Sequence, residues 1–221
     1  MQIFIDSADP NEVRQAYAGG LLSGVTTNPS LAGKSGKPYA ETVTEILNII
    51  GPEDSLSLET IATETAGMVS EGQRLSQLDH RIAVKVPATP AGIQATKILS
   101  SQGIKVNVTL VFTANQALAA ALAGAHFVSL FVGRLEDKRQ GTGIELVKEV
   151  RQIFNNYMLA SRILFASVRK VQMIAEAAKL GVDVITVPKE ILDQMLNHPL
   201  TTSGLNKFLQ DWEKSKLQLP G

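Results

Sequence analysis

The sequence predicts an α/β fold in which eight parallel β-strands alternate with helices and close into a (β/α)8 TIM barrel, followed by an extra C-terminal helix. The first observation is the order of the segments: eight short β-rich runs alternate with amphipathic stretches, as in parallel βαβ units. The second is the count of eight, which suits a closed barrel. The third is that no Gly-x-Gly-x-x-Gly turn follows the first run. That absence disfavours the alternative, an open doubly wound sheet.

The elements follow in a regular order from the N-terminus. Each predicted strand is a short run rich in Val, Ile, Leu, Phe or Thr, and the eight runs are 2–6, 23–27, 55–60, 81–86, 105–111, 126–132, 162–167 and 183–187. The predicted helices carry apolar residues at helical spacing and cover 10–20, 38–50, 63–78, 90–103, 113–124, 143–157, 170–181, 189–196 and 203–216. Several helices stop at a glycine that can cap the C-terminus, such as Gly103, Gly124 and Gly181. Because no linker or low-complexity tract interrupts the order, we expect one domain over residues 1–221, with about 200–221 as a helical extension.

Composition excludes several classes of protein. The chain has 221 residues and a formal net charge of zero, so no field of one sign favours nucleic acid or an anionic membrane. No apolar run approaches the roughly 18 residues that a membrane-spanning helix needs. Without cysteine there are no disulfides or thiol nucleophiles, and three scattered histidines form no metal cluster. The N-terminus lacks the pattern of a signal peptide, so we expect a cytoplasmic protein.

Polar residues of the predicted strands fall on one face. Side chains alternate along a strand, and in a parallel barrel one face meets the helices while the other fills the interior. In seven strands the polar residue comes late and lies opposite aliphatic neighbours. The predicted interior sets are Phe4 with Asp6, Gly24 with Thr26 and Asn28, Ser57 with Glu59, Ala83 with Lys85, Asn107 with Thr109, Ser129 with Phe131, and Phe165 with Ser167 and Arg169. The same alternation places Leu110, Leu164 and Ala166 toward the helices. We expect the polar members to meet at the C-terminal mouth, where barrel enzymes carry their chemistry.

Lys85 has the most distinctive chemistry of this set. It lies within "IAVKVPAT" (82–89), which is typical of a buried strand, where an unpaired charge is costly. A lysine in such surroundings can be held as a neutral amine that attacks a carbonyl, and the resulting iminium accepts electrons from an adjacent C–C bond. Glu59 and Asp6 are candidate acid/base partners. The neighbouring amides and hydroxyls could orient substrate or water, although strand-capping hydrogen bonds are the alternative interpretation.

Two arginines follow the sixth and seventh strands. Arg134 and Arg169, with Ser167, could bind a phosphate, because guanidinium groups hold phosphate oxygens in a bidentate manner. Surface ion pairs are the alternative, since Glu136 and Asp137 lie close to Arg134 in the sequence.

Seven stretches of the chain resemble the transaldolase family, in particular its short members. They are "FIDSAD", "GVTTNPSL", "VKVPAT", "NVTLVF", "FVSLFVGRLED", "ILFASVRK" and the closing "HPLTTSGLNKFLQDW". The resemblance implies a (β/α)8 barrel with a Schiff-base lysine on the fourth strand, which matches Lys85. It also implies transfer of a dihydroxyacetone unit from a ketose phosphate (sedoheptulose 7-phosphate or fructose 6-phosphate) to an aldose phosphate (erythrose 4-phosphate or glyceraldehyde 3-phosphate), in the pentose phosphate pathway.

The resemblance implies a role for each site residue and no metal or organic cofactor. Asp6 would assist proton transfer at C–C cleavage, Glu59 would act through a water during imine formation, and Thr109 would position that water. The implied dihydroxyacetone-binding residues are Asn28, Asn107 and Ser129, the implied phosphate site is Arg134, Ser167 and Arg169, and Thr26 and Phe131 complete the predicted substrate site.

Related enzymes and other classes remain as alternatives. Fructose 6-phosphate aldolases of the same family look different: they carry glutamine where this chain has Glu59 and tyrosine where it has Phe131, and they lack a match to Asn107. Phe131 has no proton to give to an enamine, which favours transfer over release. A non-catalytic sugar-phosphate-binding barrel and a phosphosugar isomerase are the remaining alternatives.

The final segment predicts association of like chains. Leu205, Phe208, Leu209 and Trp212 recur at helical spacing after the eighth unit, so their apolar stripe needs another surface. Short members of the family resemble pentamers or decamers in which this segment reaches a neighbour, and we expect a homo-oligomer. Packing across its own barrel is the alternative.

Overall fold

The computed structural model describes residues 1–34, 38–139 and 141–219. Eight strands form a closed barrel in sequence order, each parallel to the next, and the last pairs with the first. The strands are β1 Gln2–Asp6, β2 Leu22–Thr26, β3 Ser55–Glu59, β4 Ile82–Pro87, β5 Val106–Val111, β6 Phe127–Leu130, β7 Arg162–Phe165 and β8 Val184–Val187. The predicted (β/α)8 architecture is therefore confirmed.

Helices connect the strands and continue beyond the eighth. They are α1 Pro10–Ala18, α2 Pro29–Ala32, α3 Tyr39–Ile49, α4 Thr65–Ser76, α5 Pro90–Ser101, α6 Ala114–Leu122, α7 Val132–Lys138, α8 Thr142–Asn156, α9 Gln172–Lys179, α10 Lys189–Gln194 and α11 Pro199–Ser215. The short helices α2 and α7 were not predicted, and α7 begins within the predicted sixth strand. The predicted C-terminal helix is present as α11, and none of its residues is buried.

Local sequence explains how several helices begin directly after a strand. Asp9, Asn28, Thr89 and Thr113 are N-caps whose side chains accept a backbone N–H of the first turn. In three of these helices a proline follows the cap, and its fixed φ and missing N–H suit the first helical position. The helices thus start close to the strand ends, and the C-terminal mouth of the barrel is lined by short connections.

The core has two layers, as alternation predicts. Aliphatic residues such as Ile5, Leu58 and Val84 belong to a large cluster with the helices, whereas a smaller cluster fills the barrel interior. The interior cluster consists of Phe4, Ala83, Phe127, Leu164, Ala166 and Val184, with Phe131 packed against it. Gly24 belongs to this layer because a side chain there would collide with the Phe4 ring.

The prediction for the seventh strand was wrong in part. Phe165 packs in the outer cluster, whereas Leu164 and Ala166 face the interior. Ser167 nevertheless reaches the mouth, because β7 ends at Phe165 and Ser167 adopts a left-handed backbone with φ +62°. Leu110 was also assigned to the wrong face. It has φ +58°, beside an irregularity in the pairing of β5 with β6, and lines the mouth.

Candidate active site

A layer of polar side chains lies on the C-terminal side of the interior cluster. Lys85 stands two residues after Ala83, and Asp6, Ser129 and Thr186 stand two residues after Phe4, Phe127 and Val184 respectively. Two residues along a strand return the side chain to the same face, about 6–7 Å closer to the C-terminal end. The interior cluster therefore lies beneath a cavity of about 400 Å³ that both polar and apolar side chains line.

Lys85 lies in this cavity with two acceptors on its ammonium group. Its residue is 5% exposed, and its Nζ lies 3.0 Å from Glu59 Oε2 and donates to the Thr27 carbonyl oxygen at 2.9 Å. Pairing of β3 with β4 sets Glu59 directly beside Lys85. A buried lysine beside a carboxylate has a local acceptor for its proton, which a nucleophilic amine must lose.

Asp6 belongs to a second hydrogen-bonded group. Thr26 Oγ1 donates to Asp6 Oδ1 at 2.7 Å and lies 2.7 Å from Thr186 Oγ1. Since Thr26 gives its single hydroxyl proton to Asp6, Thr186 is the donor in the second bond. Burial raises the pKa of the Asp6 carboxyl, and the Thr26 hydrogen bond and Lys85 offset part of that shift. A carboxyl whose pKa moves toward neutrality is suited to exchanging protons with a substrate.

Asn107 lies beneath the cavity surface. It is fully buried, its Nδ2 donates to Ser57 Oγ at 3.1 Å, and its Oδ1 accepts from Ser129 Oγ at 2.6 Å. Asn107 also pairs with Lys85 across β4 and β5. In this arrangement Asn107 holds the Ser129 hydroxyl, which itself lines the cavity.

Thr109 presents an unsatisfied hydroxyl to the cavity. The residue is 1% exposed, and its Oγ1 has no hydrogen-bond partner in the described parts of the chain. An orphaned buried hydroxyl is costly, and it commonly marks a place for a water or a ligand. Asn28 is the N-cap of helix α2, and its Oδ1 accepts the Leu31 N–H at 3.0 Å. Among the described residues, its amide NH₂ is left to donate to a ligand.

Arg134 lines the same cavity from helix α7, and Ser167 and Arg169 line it from the loop that follows β7. Arg169 Nε lies 3.2 Å from Asp137 Oδ2, and both side chains are about half exposed. Helix α7 and the loop after β7 touch at Gly133, where a Cβ atom would lie 1.6 Å from the Ser167 carbonyl oxygen. Only glycine permits this approach, which brings Arg134 beside Ser167.

Eleven of the twelve predicted site residues line one cavity, and Asn107 supports it from below. The sequence reasoning missed seven further lining residues, namely Pro29, Ser30, Leu31, Leu110, Leu164, Ala166 and Thr186. Thr186 could have been found, because in "DVITV" it shares a face with Val184, opposite Ile185 and Val187. Across the described ranges, no group of three or more His, Cys, Asp or Glu residues could hold a metal ion, and no helix is long and apolar enough to cross a membrane.

A parallel barrel whose mouth combines a buried lysine, acid/base groups and arginines has the parts of a lysine-dependent enzyme acting on phosphorylated carbonyl compounds.

Comparison with known proteins places the chain within one family. Residues 3–219 match the model of the Transaldolase/Fructose-6-phosphate aldolase family, and the chain belongs to that family. A protein of Aquifex aeolicus named probable transaldolase is 46% identical over 215 residues, 97% of each chain. One of Nitrosopumilus maritimus with the same name is 49% identical over 221 residues, all of this chain and 98% of the relative.

Proposed function

We propose that this protein is a transaldolase that moves a dihydroxyacetone unit between sugar phosphates through an imine on Lys85. The observation that carries the proposal is the contact of buried Lys85 with Glu59 at the floor of a cavity that arginines also line. The donor is a ketose phosphate such as fructose 6-phosphate or sedoheptulose 7-phosphate. The acceptor is an aldose phosphate such as erythrose 4-phosphate or glyceraldehyde 3-phosphate, as in the pentose phosphate pathway.

The first stage is formation of the imine. Lys85 passes a proton to Glu59, and the neutral amine attacks the C2 carbonyl of the ketose to give a carbinolamine. Loss of the C2 hydroxyl as water, with a proton returned from Glu59, gives the iminium. The orphaned Thr109 hydroxyl supports a water position within the cavity, through which this proton can travel.

The second stage is cleavage of the C3–C4 bond. Asp6 accepts the proton of the C4 hydroxyl, the C3–C4 electron pair moves into the iminium, and an aldose phosphate leaves while an enamine remains on Lys85. The raised pKa of Asp6 supports this role, because it makes the carboxylate a stronger base than an exposed aspartate. The enamine then attacks the aldehyde of the acceptor, Asp6 returns the proton to the new hydroxyl, and hydrolysis frees Lys85.

Three residues support transfer over release of free dihydroxyacetone. Phe131 packs against the interior cluster and offers no proton to the enamine carbon. Glu59 is an acid rather than an amide, and Asn107 holds Ser129 toward the cavity. The relatives in Aquifex and Nitrosopumilus named probable transaldolase favour the same activity.

Borohydride trapping tests the proposed chemistry. The protein is incubated with fructose 6-phosphate, reduced and digested, and we expect a dihydroxyacetone-derived mass on the peptide that contains Lys85. Lys85→Ala should form no adduct and lose turnover, and turnover of the unchanged protein should require an added aldose acceptor. Absence of any adduct, with full activity in Lys85→Ala, would indicate an isomerase or a binding protein; turnover without an acceptor would indicate an aldolase.

We propose further that the protein is a cytoplasmic homo-oligomer, a pentamer or decamer, assembled through α11. The supporting observation is an apolar stripe on a helix without buried residues, in which Phe208 is 71% exposed. Stripes of this kind are typical of interfaces. Sedimentation of the full chain should give a multiple of the protomer mass, and a chain ending before Pro199 should sediment as a smaller species. Unchanged mass after this truncation would contradict the proposal.

A further inference from the structure

Arg134 is held at the cavity by aromatic rings. Its Cζ lies 5.0 Å from the centre of the Phe131 ring and 5.9 Å from that of Phe112, and the two ring centres are 5.7 Å apart. Within the described ranges, the Arg134 side chain takes part in no hydrogen bond or ion pair. Its fixed partners are therefore two π faces.

The nearby carboxylates are engaged elsewhere. Glu136 accepts three backbone N–H groups around the start of α8, at 2.7, 2.8 and 3.2 Å. Asp137 pairs with Arg169. Neither acid forms an ion pair with Arg134 in the described parts of the chain, so its guanidinium N–H donors are left for a ligand in the cavity.

We propose that Phe112 is a positioning residue for phosphate recognition: with Phe131 it forms a seat that fixes the Arg134 guanidinium toward the phosphate of the sugar substrate. A ring attracts a cation through its face and occupies none of the N–H donors that bind phosphate oxygens in bidentate fashion. A carboxylate in the same place would fix the arginine but compete for those donors. The inference rests on the proposed function only for the identity of the ligand as a sugar phosphate.

Phe112 is well placed for this role and lies outside the catalytic groups. It follows β5 directly, is half-buried, and does not line the cavity. Its backbone N–H donates to Gln116 Oε1 at 2.9 Å, which fixes the chain at the start of α6. Phe131, in contrast, also packs on the interior cluster, so changing it would disturb both the packing of the barrel interior and the position of Arg134.

The test compares Phe112→Leu, which removes the ring but keeps an apolar side chain, with Phe112→Tyr, which keeps the π face. Calorimetry measures the affinity for inorganic phosphate, and kinetics compare glyceraldehyde 3-phosphate with unphosphorylated glyceraldehyde as acceptor. We expect Phe112→Leu to weaken phosphate binding and to lower kcat/KM for the phosphorylated acceptor about three- to tenfold. In Phe112→Leu, kcat/KM for the unphosphorylated acceptor should change less than about twofold. Phe112→Tyr should keep the phosphate affinity of the unchanged protein.

A double variant separates a seat from a general structural effect. In an Arg134→Met background, Phe112→Leu should cause no further loss of phosphate binding, because the cation that it positions is gone. Thermal unfolding checks that each variant is folded, and Phe112→Met replaces Phe112→Leu if the latter is not. Equal losses on both acceptors, or no phosphate binding by the unchanged protein, would overturn the inference. If borohydride traps nothing on Lys85 but phosphate binding still depends on the Phe112 ring, the proposed reaction is rejected. The inference about the aromatic seat for Arg134 then remains supported.

Discussion

The contact between Lys85 and Glu59 makes a quantitative prediction about the stability of the barrel. Lys85→Met and Glu59→Gln each remove one charge while nearly keeping the side-chain volume. Because the two side chains are only 6% and 17% exposed, either change alone leaves a largely buried charge without its partner. The double variant removes both charges and leaves a neutral pair.

The structure sets the magnitude of the effect. At 3.0 Å and an effective dielectric constant of about 20, the gross attraction is about 5.5 kcal/mol. Removal from water cancels part of this attraction, so we expect each single variant to lose about 3 kcal/mol of unfolding free energy. The double variant should lose no more than about 2 kcal/mol, so two single losses of about 3 kcal/mol each give a coupling energy of about 4–6 kcal/mol.

Urea unfolding followed by far-UV circular dichroism is the appropriate assay. The single tryptophan, Trp212, lies on the exposed helix α11, so its fluorescence would report that helix rather than the barrel. All variants must be compared at one protomer concentration, because assembly would add to apparent stability.

The chain supplies a matched control on its surface. Lys148 Nζ lies 2.8 Å from Glu145 Oε1 on α8, with both side chains more than half exposed. The cycle made from Lys148→Met and Glu145→Gln should give a coupling of about 0.5 kcal/mol or less, since water screens this pair. A coupling at Lys85 and Glu59 no larger than in this control would refute the assignment of a buried charge pair.

Three further predictions concern single residues. Gly133→Ala forces the backbone away from the Ser167 carbonyl by more than 1 Å. We therefore expect kcat/KM to fall about tenfold or more for phosphorylated acceptors and to change little for unphosphorylated acceptors. The control is Gly204→Ala, because a Cβ atom there would have no neighbour within 4 Å. Asp6→Asn should abolish transfer yet raise the melting temperature at neutral pH, because ionising a buried carboxyl of raised pKa costs stability. That gain should vanish as the pH falls below 3.8, the ordinary pKa of aspartate, where the carboxyl is protonated in both states. Phe131→Tyr should release free dihydroxyacetone from fructose 6-phosphate without an acceptor, measured by a coupled reductase assay.

Alternation of side chains allowed most of the mouth to be predicted from the sequence. In a barrel strand the period of two is imposed by the backbone, and the helix-facing side must be aliphatic. Lys85 between Val84 and Val86 could therefore be assigned to the interior, and the structure buries both valines in the outer cluster. The same reasoning would have included Thr186.

The exceptions arise where the chain leaves regular geometry. Leu110 and Ser167 have positive φ values, which are uncommon for residues other than glycine. Ser167 contacts Gly133 of helix α7, which lies 34 positions earlier in the chain. Alternation along a single strand contains no information about such a contact, so the assignment of Phe165 to the interior failed.

In the proposed mechanism, one charge pair serves both the resting enzyme and the iminium. Lys85 is a cation beside Glu59 before reaction, and the iminium that replaces it is again a cation at the same nitrogen. The pair is therefore absent in the free-amine, carbinolamine and enamine stages, where the nitrogen is uncharged, and Glu59 stabilises the iminium as well as the resting enzyme. Glu59→Gln should accordingly slow imine formation and weaken the iminium together. Trapped adduct at equilibrium, and not only its rate of formation, should decrease, whereas a purely proton-transferring Glu59 would alter the rate alone.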